Sequence, residues 1–157
     1  MATMATVPER RATFRETRRF AALEGTLESS GHLVYRRGYL EKVTDWPQPE
    51  RLQLEGDRVV LTAGSEAPRV IELGMAPGLR VLLDGIRGPL MGDVAALRRA
   101  FRAAVSGEMA GWTLELTPLQ AGTPLRSVRL EGQGSEVRRI TLTQANGDEQ
   151  VMVMTGD

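Results

Sequence analysis

The sequence predicts a mainly β domain with one helical insertion, an α+β chain. Three observations carry this. Short runs alternate apolar and polar residues from one end to the other. Glycine and proline, 17 and 8 of them in 157 residues, punctuate those runs throughout and do not cluster. One stretch, residues 77–105, departs from the alternation and takes helical spacing. Period two is the mark of half-buried antiparallel strands, and short strands at regular spacing belong to sandwiches and barrels. The length suits one domain, so residues 1–157 are read as a single unit.

The elements follow in order. Thr13–Phe20 places Phe14, Glu16, Arg18 and Phe20 on one face. In Gly31–Arg37, Leu33 and Tyr35 share a face with Arg37, while Val34 and Arg36 take the other. Later runs, Trp112-x-Leu114-x-Leu116, Val128-x-Leu130, Ile140-x-Leu142 and Val151-x-Val153, alternate in the same way. Several strands are apolar on both faces, as in Val59-Val60-Leu61 and Val70-Ile71. A sheet with one wet face needs only one apolar face, so these runs imply either a filled core or a sheet curled around something apolar.

Behind Pro77, Leu79, Leu82, Leu83 and Ile86 form a helical stripe that Gly85, Gly88 and Pro89 bring to an end. Asp93 caps a second expected helix, Val94–Val105, striped by Val94, Leu97, Phe101 and Val105 and closed by Gly107. The expected order is six strands, two helices and four strands, about ten strands in all, with residues 76–106 as the helical insertion. Such helices must cover one face or one mouth of the sheet.

Composition excludes several functions. There is no cysteine, so no disulfide, thiolate metal site or cysteine nucleophile. His32 is the only histidine, which excludes a His–His metal pair. Twenty basic and twenty acidic side chains cancel, a poor balance for a nonspecific nucleic-acid binder. Aromatic residues at 4% supply little base-stacking surface. No run approaches the roughly 20 apolar residues of a membrane-spanning helix. His32 follows Ser29-Ser30-Gly31, but no Gly-x-Ser-x-Gly elbow accompanies it. The acidic residues are scattered, and no phosphate or dinucleotide loop is present. No catalytic residue, metal ligand or cofactor is expected. Arg10, Arg11, Arg15, Arg18 and Arg19 form a basic N-terminal cluster, read as water-facing side chains rather than as a membrane-surface patch.

The motifs resemble the LolA/LolB family of periplasmic lipoprotein carriers, in particular the LolA-related branch encoded beside lipid- and aryl-polyene-synthesis genes. The likeness runs through Phe14-x-Glu16-x-Arg18, Ser30-Gly31-x-Leu33-x-Tyr35-Arg36-Arg37 and Leu40-Glu41-x-x-Thr44-x-x-Pro47. It continues through Pro77-x-Leu79, Arg87-Gly88-x-Leu90-x-Gly92-Asp93 and Phe101, then Trp112-x-Leu114-x-Leu116-x-Pro118 and Gly147-Asp148. It implies an unclosed antiparallel β-barrel around an apolar cavity, with the helices as a lid. It also implies a non-enzymatic carrier of lipoprotein acyl chains or another amphiphilic lipid, acting across the periplasm toward the outer membrane. The alternatives are a carrier of aryl-polyene-type lipids working with an exporter, and an enzyme or accessory subunit acting on a lipid intermediate. On this resemblance Phe14, Leu33, Tyr35, Leu79, Leu82, Leu83, Ile86, Leu90, Leu97 and Phe101 line the cavity and lid, and Arg37 latches the lid. The expected partners are acyl chains, an inner-membrane exporter and an outer-membrane acceptor. The chain is expected to be a monomer in the periplasm whose signal peptide is absent from this sequence.

Overall fold

The computed structural model describes residues 9–36, 38–75, 97–99, 101–119, 122, 124–134 and 136–156. Eleven strands form one antiparallel sheet. They are β1 (Glu9–Arg19), β2 (Thr26–Arg36), β3 (Tyr39–Trp46), β4 (Glu50–Glu55), β5 (Arg58–Ala63) and β6 (Arg69–Glu72). After a 3-10 turn at Leu73–Met75 come β7 (Phe101–Glu108), β8 (Gly111–Pro118), β9 (Leu125–Gln133), β10 (Glu136–Gln144) and β11 (Glu149–Gly156).

The strand order is β6-β5-β4-β3-β2-β1-β11-β10-β9-β8-β7. Two meanders, β1 to β6 and β7 to β11, are therefore joined through their outer members, the first and last strands, which pair along Ala12–Gly156 to Arg19–Glu149. The sheet is unclosed, with β6 and β7 as its edges. Those two edges are consecutive in the chain, so the connection from residue 73 to residue 100 leads from one open edge to the other.

One face of this sheet is buried. Alternation puts Ala12, Phe14 and Glu16 of β1, Leu33 and Tyr35 of β2, and Leu114 and Leu116 of β8 on it. Leu54, Val59, Val128, Leu130, Ile140, Leu142, Met152 and Met154 join them in one apolar cluster reaching from β1 to β5 and from β7 to β11. A sheet that buries one face must curl on itself or be covered by other elements. The second apolar residue of the two-faced runs lies on the outer face: Val34 and Val60 are half-buried and Val70 is 59% exposed. Two-faced apolarity in this chain is thus no signature of a lined cavity.

The expected helix Val94–Val105 is corrected. Residues 97–99 are helical, but Phe101–Glu108 is β7, paired with β8 from Phe101–Pro118 to Glu108–Gly111. The reason is arithmetic. Leu97, Phe101 and Val105 are four apart, a spacing that suits one helix face and also one strand face. The hairpin decides, because Gly107 takes a φ of 90° next to its turn and the β8 backbone pairs the whole segment. Among the described residues eleven strands stand where about ten were expected, in the order six strands, a short helical stretch and five strands. The expected helix through Leu79, Leu82, Leu83, Ile86 and Leu90 lies outside the described residues.

Two glycines permit close approach inside the sheet. A Cβ on Gly31 would lie 1.9 Å from the Val43 carbonyl oxygen, at the point where β3 carries an extra residue against β2. A Cβ on Gly132 would meet the Trp112 ring at 2.5 Å and the Glu136 carbonyl oxygen at 2.3 Å. The Trp112 indole crosses that glycine and donates from Nε1 to the Gly134 carbonyl at 2.9 Å.

Candidate functional site

The candidate site is the buried face and its ends. Phe14, Leu33 and Tyr35 are 2–4% exposed, on adjacent strands, and share the core with Leu97 and Phe101. These five expected site residues are brought together by the fold. Arg37, Leu79, Leu82, Leu83, Ile86 and Leu90 lie outside the described residues. Ahead of the expected latch position, Leu33 and Tyr35 are buried, while Arg36 is exposed, stacked 4.2 Å over the Tyr39 ring and 3.6 Å from Glu9.

At one corner the buried face turns polar. Glu16 is fully buried and accepts hydrogen bonds from three side chains. Lys42 Nζ donates to Oε2 at 2.6 Å, Gln150 Nε2 to Oε2 at 2.8 Å and Arg18 Nε to Oε1 at 2.9 Å. Burial pushes the Glu16 carboxyl up; the Lys42 charge and hydrogen bond, then Arg18 and Gln150, outweigh it and hold the group below the usual carboxylate range. Lys42 also sits 5.3 Å over the Phe14 ring, so the polar corner and the apolar face are in contact.

This corner opens into a pocket of about 290 Å³. Glu16, Arg18 and Lys42 line it together with the apolar side chains of Leu27, Pro47 and Leu52. A larger pocket, about 460 Å³, lies on the outer face beside Tyr39, Gln53 and Val60. There the Tyr39 hydroxyl donates to Glu41, and Gln53 donates to Tyr39 at 3.2 Å. The Glu41 carboxyl is held low first by that Tyr39 bond, against the opposing effect of burial and with further help from Arg51.

Sequence reasoning placed Glu16 and Arg18 on the face of Phe14 but missed their partners. Lys42 is the only lysine, and arginine-rich composition disguised it as chance. The available signal was its register: Leu40-x-Lys42-x-Thr44 continues an inward apolar row with a charge. His32 Nδ1 lies 3.3 Å from Asp45 Oδ2 at the surface, a hydrogen-bond contact away from the buried face. Within the basic N-terminal cluster, Arg10 pairs with Glu136, Arg11 with Glu9, Arg18 with Glu16 and Arg19 with Glu149. No group of three metal-ligating side chains occurs among the described residues. No described helix is long and apolar enough to cross a membrane.

Comparison with known proteins places this geometry. The model of a family described as "Outer membrane lipoprotein carrier protein LolA-like" matches residues 2–157. A crystal structure of a LolA superfamily protein from Nitrosomonas europaea is similar in fold, with a TM-score of 0.51 at 10% identity over 94% of this chain and 84% of that one. A putative outer membrane lipoprotein-sorting protein domain from Vibrio parahaemolyticus matches 94% of this chain and 83% of its own, at 10% identity and a TM-score of 0.43. Among curated protein sequences there is no match. The family model spans nearly the whole chain, and the unclosed eleven-stranded sheet is the fold that goes with it: the chain belongs to the LolA-like family.

Proposed function

We propose that this protein is a non-enzymatic carrier that takes up the acyl chains of a lipoprotein or another amphiphilic lipid and moves them across the periplasm toward the outer membrane. One observation supports it beyond family membership. The sheet is apolar on one face and open between β6 and β7, and a single connection leads from one open edge to the other.

Carrying sets a demanding energy balance. An acyl chain of some sixteen carbons loses on the order of 10 kcal/mol on return to water, at about 0.8 kcal/mol per methylene. A carrier without a nucleotide site needs two states a few kcal/mol apart, which a donor or acceptor then biases. An unclosed sheet offers such states and a closed barrel does not. An inner-membrane donor, an outer-membrane acceptor and a monomeric working form complete the proposal.

The test is extraction of lipid from protein purified out of the periplasm of an expressing bacterium, without detergent. An intact amphiphile near one per chain is the expected result. Chemical conversion of an added lipid would move the assignment to an enzyme, and protein free of lipid that also fails to take up an apolar fluorescent probe would overturn the reading.

A further inference from the structure

The geometry points to Asn146–Gly147 as a self-modification site: an asparagine that the folded turn holds back from deamidation, and whose reaction loosens the seam between the two meanders. Asn146 is the only asparagine in the chain, and a glycine follows it. The chemistry needs only water. The Gly147 amide nitrogen gives up its proton and attacks the side-chain carbonyl carbon of Asn146. A C–N bond forms and closes a five-membered succinimide ring. The bond to Nδ2 breaks, and that nitrogen takes up a proton and leaves as ammonia. Water then opens the ring at either carbonyl, giving aspartate or isoaspartate. Glycine obstructs the attack least, because it has no Cβ and the freest backbone.

The fold withholds both reacting groups. The Gly147 N–H donates to the Gln144 carbonyl at 3.0 Å, so the proton that must leave is engaged. The Asn146 amide is pinned at both ends: Oδ1 accepts from the Asp148 N–H at 2.9 Å, and Nδ2 donates to the Asp148 carboxylate at 3.2 Å. The turn is closed behind them by Gln144 N–H donating to the Asp148 carbonyl at 2.8 Å. Asn146 is exposed, so water reaches it and the protection comes from hydrogen bonds, not from burial. Reaction therefore waits for the turn to open.

The consequence falls on the seam. Asp148 Oδ1 accepts the Ala21 N–H at 2.9 Å, which ties this turn to the segment between β1 and β2. Gly147 packs on the same residue, since a Cβ there would lie 3.2 Å from the Ala21 Cβ. β1 and β11 are the pair that joins the meanders, and the turn clamps the Arg19–Glu149 end of that pair. Aspartate at 146 would set a carboxylate against Asp148 at the spacing a hydrogen bond now holds. Isoaspartate would add a backbone carbon before Gly147 and carry its N–H away from Gln144. Either product weakens the clamp on Ala21.

The experiment incubates the full chain at mildly alkaline pH, folded in one arm and unfolded by guanidinium chloride in the other. Peptide mapping with isoaspartate detection follows position 146. The unfolded chain is expected to convert at least about tenfold faster, equivalent to a turn opening of some 1.4 kcal/mol or more. Asp148→Ala removes the Nδ2 acceptor and the Ala21 clamp, and should bring its folded rate toward the rate of its own unfolded chain. At low salt, Asn146→Asp should lower the thermal midpoint by about 2 °C or more, and the uncharged Asn146→Ser should lower it less. Equal conversion of the folded and unfolded parent overturns the protection, and no conversion of the unfolded chain overturns the site itself. Equal midpoints for Asn146→Asp and Asn146→Ser overturn the link to the seam.

Discussion

Lys42 Nζ lies 2.6 Å from Glu16 Oε2, although strand β2 separates the strands that carry them. In the register Lys42 stands opposite Leu33, whereas Glu16 stands opposite Ser29, four residues away along β2. Gly31 occupies the row between, so the lysine stem passes a position that has no side chain. Gln150 adds β11 to the same carboxylate. Three strands, β3, β1 and β11, are thereby tied at one buried carboxylate, across the intervening β2.

Breaking this tie from one side should be worse than removing it. Glu16→Gln leaves a mostly buried ammonium without its counter-charge, and Lys42→Met leaves a fully buried carboxylate held only by Arg18 and Gln150. Loss of one partner of a buried pair costs about 3–5 kcal/mol, and the 18% exposure of Lys42 puts this case at the lower end. The double variant Glu16→Gln with Lys42→Met should lose less stability than the two single losses added together. Urea unfolding of the parent and the three variants measures the coupling; strictly additive losses would contradict it.

Acid should destabilise the protein through the same group. The Glu16 carboxyl is held below the usual carboxylate range when folded, and so is that of Glu41. A depressed folded value gives stability that is complete above the unfolded value and lost as pH falls through the folded one. The midpoint of thermal unfolding should therefore be flat down to about pH 5 and fall below it. Glu16→Gln should start lower and fall less steeply. A parent midpoint unchanged between about pH 6 and pH 3 would contradict the assignment.

What the sequence revealed depended on the physical signal in each segment. Strands with one buried face, such as Trp112-x-Leu114-x-Leu116, print their period directly, because Leu114 and Leu116, only 0–2% exposed, leave no place for an unpaired polar residue. β7 prints almost nothing. Only Phe101 in it is buried, Val105 is 70% exposed, and the strand exists because β8 pairs with it. A helix reading of Leu97, Phe101 and Val105 fits the same letters. That Phe14, Leu33, Tyr35, Leu97 and Phe101 are buried was legible because lining an apolar face and filling a core demand the same residues. The polar corner was not, since Glu16, Lys42 and Gln150 meet only across strands that are remote in the chain.

Gly31 is a point where the fold has no slack. Its missing Cβ would lie 1.9 Å from a backbone oxygen of β3, and backbone cannot rotate aside as a side chain can. Gly31→Ala should cost on the order of 1–3 kcal/mol, the usual range for forced overpacking, and disturb the passage of Lys42 to Glu16. Gly74→Ala is the control, with open space around it and no positive φ. Chemical denaturation of both variants decides; similar losses would mean that β2 and β3 can separate freely at the extra residue.

Leu97 offers the sharpest test of the link between the sheet's edges and lipid uptake. It is 6% exposed, belongs to the core cluster, and lies four residues before β7, at the end of the connection that leads from β6. Its neighbour Arg98 is exposed on the same short helical stretch. Leu97→Asp places a charge among apolar side chains with no counter-ion in the cluster, a change that either opens the segment or ionises at high cost. Arg98→Asp reverses a charge in water and should move stability by no more than about 0.5 kcal/mol. Uptake of a neutral apolar fluorophore should therefore fall at least about tenfold in Leu97→Asp, for a loss of some 1.4 kcal/mol or more of binding, and remain at the parent level in Arg98→Asp. Leu97→Ala separates lost apolar area from the introduced charge: it should retain part of the uptake, because it leaves a cavity and no unpaired ion. If Leu97→Asp stays folded and takes up the fluorophore as the parent does, the end of the edge-to-edge connection does not govern access to the apolar face, and the ligand enters by another route.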